Sequence, residues 1–228
     1  YNYFYLNYCP IQRIVYKNKK NKQGQEELIK VRELAFPDFY DYDYYYFQAI
    51  ESAQDQGKHL CVAKARRKGY SYKGGSMLCR NFFLIPGSKS YVYASNKQYL
   101  TDDGILTKAW DYMDFIDENT AWGKKRQAVN TSMRRRASMI VTDNFGNKIE
   151  VGYKSEIIGV SLKDNPDAVR GKAGMLILWE EAGTFPELKA AWQIARPSVE
   201  QDGVAFGLMI MFGTGGDEGP AVMTLREA

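Results

Sequence analysis

Residues 60–85 constrain this chain more than any other stretch. Leu60-Cys61-Val62-Ala63 is a short apolar run of strand type, while Met77, Leu78, Phe82 and Ile85 recur at helical spacing. Between them stands Lys64-Ala65-Arg66-Arg67-Lys68-Gly69-Tyr70-Ser71-Tyr72-Lys73, so a basic loop joins a strand to a helix. A helix opening there presents unpaired N–H groups and the positive end of its dipole, which suits a polyphosphate. Ser71 adds a hydroxyl suited to a magnesium ion. The spacing approximates the phosphate-binding pattern G-x-x-x-x-G-K-[ST] but departs from it twice. Ala65 or Arg66 stands at the first glycine position, and Tyr70 occupies the lysine position. Taken alone, Gly69-Tyr70-Ser71 reads as readily as an ordinary strand-to-helix turn.

Two later segments add weight. Met175-Leu176-Ile177-Leu178-Trp179-Glu180-Glu181 is an apolar run ending in paired acids, the form of a buried strand that carries carboxylates to the C-terminal edge of a sheet. The first acid can hold magnesium, directly or through water, and the second can polarise an attacking water. Phe206 to Phe212 is a further apolar run and empties into Gly213-Thr214-Gly215-Gly216, where glycines permit a tight turn beside phosphate and Thr214 can sense it. Each feature has a plainer reading. The acids could start a solvated helix before Ala182 and Gly183, the glycines could form a flexible turn, and Arg170 could pair with Asp164 or Asp167. It is the order of loop, acidic pair and polar strand tip, each after an apolar strand, that points to an NTPase of P-loop type.

Strands alternating with helices imply an α/β fold with a mostly parallel sheet flanked by helices. A dinucleotide fold is set aside, because no G-x-G-x-x-G turn follows the first strand of this pattern. The spacing predicts a helix over 43–56 with Tyr46, Phe47, Ile50 and Ala53 on one side and Gly57 as its stop, a strand at Tyr91 to Ala94, and helix from Lys97 to about Trp122 broken near Gly104. Met139 to Val151 reads as strand-turn-strand, Glu156 to Val160 as a strand, and Pro186 to Ala195 as a helix. The aromatic stretch at Tyr1, Tyr3, Phe4, Tyr5 and Tyr8 reads as a strand packed on the core. With 228 residues and no linker or repeat, one domain spanning 1–228 is expected, with an aromatic N-terminal segment to about residue 35.

Composition narrows the class. With 45% apolar and 25% charged residues the chain is globular, and with neither a run of about 20 apolar residues nor a basic-then-apolar leader it is expected to be soluble and intracellular, with no membrane partner. Cys9, Cys61 and Cys79 are far apart and read as small buried residues. His59 is the single histidine, which excludes any mechanism needing a histidine pair. A net charge of +4 permits a nucleic-acid partner without demanding one. Of two basic runs, Lys17 to Lys22 reads as a solvated turn, and Arg134-Arg135-Arg136 as either a phosphate-contacting face or ordinary surface.

Lys64 to Ser71, Arg170-Gly171, Leu176 to Glu181 with Ala182, and Gly213 to Gly216 together resemble the ATPase domain of the large terminase subunit of tailed double-stranded DNA bacteriophages. Members of that family tolerate tyrosine-serine after the loop glycine, with the phosphate-binding lysine moved to the start of the loop, where this chain has Lys64. The resemblance implies a P-loop NTPase of RecA/ASCE type that hydrolyses ATP with Mg2+ to translocate double-stranded DNA into a procapsid. Lys64 would replace the missing lysine, with Arg66, Arg67 and Lys68 also within reach of phosphate, and Gly69, Tyr70 and Ser71 would complete the loop. Ser71 and Glu180 would hold the metal, although Glu180 stands where the family usually has aspartate. Glu181 would orient water, Thr214 would couple hydrolysis to movement, and Arg170 would reach a neighbouring subunit's γ-phosphate in a ring homo-oligomer. Aromatics from Phe36 to Phe47 with Gln48 would contact adenine. The implied partners are duplex DNA, with Arg134, Arg135 and Arg136 as candidate contacts, the portal protein and the small terminase subunit. The implied location is the host cytoplasm, transiently at the portal. The family's C-terminal nuclease domain, with clustered aspartates, is not expected here, since no such cluster follows Gly216. A helicase-like remodelling ATPase, or a degenerate module that binds DNA or portal without hydrolysis, are the alternatives.

Overall fold

A computed structural model describes residues 1–21, 24–163 and 165–214; Lys22, Asp164, Gly215 and Gly216 therefore lie outside the described residues. The chain begins with helix α1 (Asn2–Tyr8) and a long hairpin of β1 (Ile11–Lys20) and β2 (Glu26–Ala35). Helix α2 (Asp41–Asp55) leads to β3 (Leu60–Lys64), the basic loop and α3 (Tyr70–Leu84). Then come β4 (Lys89–Ala94), the short α4 (Gln98–Thr101) and α5 (Ile105–Asn119). Strands β5 (Val129–Asn130), β6 (Arg134–Arg136), β7 (Met139–Thr142), β8 (Lys148–Val151) and β9 (Glu156–Ser161) follow. A 3-10 turn at Pro166–Val169 precedes β10 (Leu176–Glu180), and another at Ala182–Thr184 precedes α6 (Leu188–Ala195). The small hairpin of β11 (Glu200–Gln201) and β12 (Val204–Ala205) ends at β13 (Leu208–Thr214).

One seven-stranded sheet organises these elements in the order β3-β13-β10-β4-β9-β6-β5. The first five are parallel, and β6 and β5 extend the sheet antiparallel. Parallel strands need both faces covered, and β10 is accordingly buried along its whole length. Side chains alternate across it: Leu176 and Leu178 join the core under α3 and α5, whereas Ile177 and Trp179 join the core under α6. Glu180 continues the first set and therefore emerges on the α3 side. Helix α3 sits close to α5 because Gly74 and Gly75 carry no side chain; a Cβ at Gly74 would lie 2.5 Å from Ile105 Cδ1.

Two expectations from the sequence are corrected. The aromatic start is helix α1 rather than a strand: Phe4 packs at a tilt against Tyr8 one turn on (5.3 Å between ring centres), Tyr8 against Trp122 (4.7 Å) and Tyr5 against Phe47 (5.8 Å), which a helical spacing satisfies and an alternating one would not. Lys17 to Lys20 are strand rather than turn, because the β1–β2 ladder continues to Lys20 opposite Glu26. Among the described residues no helix is long and apolar enough to cross a membrane.

Candidate active site

Strand β3 ends at Lys64, and the loop turns into α3 through Gly69, whose φ of +71° and ψ of +20° lie in the left-handed region. An added Cβ there would meet only Tyr5 Oη at 3.9 Å, so the backbone conformation and not space is what asks for glycine. Arg67 shares the left-handed region (φ +60°). The opening amides of α3 have no intrahelical acceptor, and the helix dipole directs positive potential into the same space.

The ladder fixes what faces that loop. Thr214 at the tip of β13 pairs with Lys64, and Glu180 at the tip of β10 pairs with Phe212, so the three tips lie side by side at one edge of the sheet. Ser71 Oγ donates a hydrogen bond to Glu180 Oε1 at 2.6 Å, and Lys64 Nζ meets Glu181 Oε1 at 2.7 Å. A cleft of about 640 Å³ opens there, lined by Lys64, Arg66, Arg67, Ser71, Glu180, Glu181 and Thr214. Gln98, Tyr99, Asp102, Asp103, Gly104 and Thr184 complete the cleft lining.

The two acids stand in different surroundings. Glu180 is 3% exposed, and burial pushes its carboxyl from 4.5 up to about 7, with the hydrogen bond from Ser71 opposing and the charge of Glu181 reinforcing the rise. Among the described residues its Oε2 is buried without a hydrogen-bond partner. That unmatched oxygen beside the Ser71 hydroxyl fits a magnesium ion, which takes few protein ligands and leaves the rest of its shell to water and phosphate. Glu181 is partly exposed, ion-paired to Lys64, and held at φ +49°, ψ +53°. A non-glycine residue there is strained. The turn is fixed because the Glu181 carbonyl accepts both the N–H and the hydroxyl of Thr184, each at 2.8 Å.

No protein-family model matches the chain, and no curated protein matches it in sequence. Solved structures do match. A point variant of the large terminase ATPase domain of Thermus phage P74-26 aligns at TM-score 0.58 and 15% identity, covering 80% of this chain and 68% of that one. The fold is that of a large terminase ATPase domain. The P74-26 domain itself aligns at TM-score 0.54 and 18% identity, covering 80% of this chain and 67% of that one. The large terminase of bacteriophage HK97 aligns at 0.53 and 12%, covering 83% of this chain and 36% of that one.

Within this terminase-like fold several candidate residues lie outside the cleft. Tyr70 turns away from the cleft: its ring packs on Tyr46 (4.9 Å) and Phe212 (6.0 Å) and under the Lys73 ammonium (4.2 Å). Lys68 also leaves the cleft, its Nζ 5.4 Å above the Tyr42 ring. Arg170, its side chain 71% exposed, pairs with Asp167 at 2.6 Å and does not line the cleft of its own chain. Arg134, Arg135 and Arg136 are not a free basic face: they pair with Glu156 (2.5 Å), Asp114 (3.2 Å) and Glu150 (3.1 Å), and Arg135 also stacks on Trp110. Of the adenine candidates, Tyr46 and Phe47 are core residues, while Phe39, Tyr40, Tyr42, Tyr44 and Tyr45 are exposed. Gln48 donates to Tyr44 Oη.

Sequence reasoning missed one pair beside the loop. Lys73, in the first turn of α3, is buried against Asp43 of α2 under the rings of Tyr42, Tyr46 and Tyr70. Desolvation holds its ammonium below the usual lysine range, against the attraction of Asp43. Its signal was a charge at a helical position otherwise occupied by small and apolar residues, with an acid on the apolar side of α2.

Proposed function

We propose that this chain is the ATP-hydrolysing motor domain of a phage terminase large subunit, driving double-stranded DNA into a procapsid. The convergence of Lys64, Ser71, Glu180, Glu181 and Thr214 on one cleft at the C-terminal edge of the parallel strands carries this reading. The amides of α3 with Lys64, Arg66 and Arg67 bind the phosphates. Ser71 Oγ and Glu180 would hold magnesium, which neutralises charge on the transferring phosphoryl group. Glu181 orients the attacking water once Lys64 has exchanged its carboxylate for phosphate. Thr214, on the strand between loop and acids, relays the phosphate state. Arg170, exposed and paired among the described residues with the surface carboxylate of Asp167, would leave it to enter a neighbouring subunit's cleft in a ring. A finger of this kind accelerates hydrolysis by roughly 10³ to 10⁵. The portal protein and the small terminase subunit are the packaging partners in this reading.

The assay is steady-state hydrolysis by Glu181→Gln. Loss of a positioned carboxylate is expected to lower kcat by about 10²-fold or more with nucleotide binding kept, and unchanged hydrolysis would remove Glu181 from the mechanism. One observation favours a second reading, a binding module without hydrolysis: Tyr70 stands at the lysine position with its ring turned into the core. A flat calorimetric titration with magnesium-ATP would select it.

A further inference from the structure

The formal excess of positive charge in this chain, +4, falls within residues 11–35. Residues 11–35 carry seven Lys and Arg against three Glu, and the remainder of the chain balances to zero. Six of these seven cations and all three acids lie in the β1–β2 ribbon, whose ladder runs unbroken from Ile11 opposite Ala35 to Lys20 opposite Glu26. Ten residues a strand make it about 33 Å long. Every residue from Tyr16 to Lys20 and from Gly24 to Leu28 is exposed, so its distal half stands clear of the sheet.

Strand alternation places Lys20, Lys30 and Arg32 on one face, together with Asn18 and Tyr16. Among the described residues none of Lys19, Lys20, Lys30 and Arg32 forms an ion pair, even though Lys19 and Lys20 stand opposite Glu27 and Glu26. Near the base the pattern differs: Lys17 pairs with Glu33 and Arg13 with Asp38. Three of the four, Lys20, Lys30 and Arg32, thus share one face, with Lys19 on the other. On the shared face Ile14 with Leu34, and Tyr16 with Leu28, are diagonal neighbours by register. Such pairs stabilise a two-stranded ribbon that would be marginal alone in water.

We propose that this ribbon is a docking arm for duplex DNA, with the Lys20, Lys30 and Arg32 face set against phosphates. Three observations select a duplex. The face sets three cations without ion pairs against the single acid Glu26, a net positive charge that fits a polyanion. A two-stranded ribbon fits the B-form major groove, roughly 12 Å wide, whereas the deep, narrow A-form groove of RNA does not admit it. The arginine triplet that could have competed for the role is neutralised inside the chain. The inference rests on the DNA-binding part of the proposed function and not on hydrolysis.

Fluorescence anisotropy with a labelled duplex of about 30 base pairs, between about 50 and 200 mM salt, tests it on the wild type, Lys30→Gln/Arg32→Gln and Glu181→Gln. The ribbon variant is expected to lose roughly tenfold in affinity at the low-salt end, with the slope of log K against log salt shallower by about 1.8, the value for two lost phosphate contacts. It is expected to keep basal hydrolysis, whereas Glu181→Gln keeps DNA binding and loses hydrolysis. Unchanged affinity and slope in the ribbon variant, or no duplex binding by the wild type at low salt, would overturn the inference. So would intact DNA binding with a change of oligomeric state on sedimentation, which would make the ribbon a contact between copies of this chain. Preferential binding to anionic vesicles over duplex would overturn it too.

Discussion

Replacing Glu180 with glutamine should make the stability of this protein less dependent on pH, by an amount the structure sets. The Glu180 carboxyl is raised from 4.5 to about 7, with burial as the largest cause. Between those values the folded protein keeps a proton that the unfolded chain has released, so stability falls as pH rises through this window and levels off above it. The gap corresponds to about 3 kcal/mol, or roughly 6–12 °C in Tm for a domain of this size. Glutamine can still accept the Ser71 hydroxyl, but its amide nitrogen inherits the position where Oε2 lacks a partner. That cost is the same at every pH and cancels in the comparison. Thermal unfolding at pH 5 and pH 8, followed by circular dichroism, should therefore show Glu180→Gln gaining on the wild type as pH rises. An equal difference in Tm at both values would mean that Glu180 is ionised in the folded state throughout, and the desolvation argument for this carboxyl would be wrong.

Two further outcomes follow from the same neighbourhood. Lys73 and Asp43 are 1% and 5% exposed, so Lys73→Met strands a buried carboxylate; it should cost about 3–5 kcal/mol in urea unfolding, with Asp43→Leu/Lys73→Met recovering most of it. Equal losses in the single and double variants would exclude the pair as the cause. Lys64 lines the cleft whereas Lys68 lies over Tyr42. Lys64→Ala should accordingly weaken magnesium-ATP binding at least roughly tenfold, about the value of a charge-assisted hydrogen bond, and Lys68→Ala should leave it nearly unchanged. Calorimetry that found the same loss in both would return the choice of cation to the open set of four.

Much of the architecture was readable because the buried strands of a parallel sheet are short apolar runs. Leu60 to Lys64, Leu176 to Glu180 and Leu208 to Thr214 are strands within two residues of where the runs placed them, and their polar ends meet at one edge as their order suggested. The helix break at Gly104 was likewise visible: a side chain there would sit 2.2 Å from the Tyr99 carbonyl oxygen. What composition could not show was direction. Tyr70 and Lys68 are two residues of a loop whose backbone suits phosphate, yet their side chains leave it for the aromatic surface of α2, which only the packed helix provides. Arg134 to Arg136 read as either a phosphate-contacting face or ordinary surface because their partners, Asp114, Glu150 and Glu156, come from three different segments of the chain. The short α1 was missed since aromatic spacing over seven residues fits a strand as well as a helix until Trp122 and Phe47 are placed beside it.

The strand order gives the Lys64–Glu181 pair a consequence beyond its own stability. Because β13 lies between β3 and β10, the tips carrying the lysine and the acids are two strand spacings apart, about 9.6 Å. The 2.7 Å contact is therefore made by two side chains reaching toward each other across the tip of β13. In the proposed reaction a polyphosphate at the opening of α3 competes with Glu181 for the Lys64 ammonium. In that reaction the same event that gives Lys64 a phosphate releases the Glu181 carboxylate toward water, and the strained turn at Glu181 keeps that carboxylate aimed into the cleft after its partner has left. Binding and activation are then one exchange of partners rather than two steps. Substituting Lys64 alone should accordingly free Glu181 without nucleotide, so any residual turnover of Lys64→Ala would be limited by phosphate affinity and not by the availability of the carboxylate.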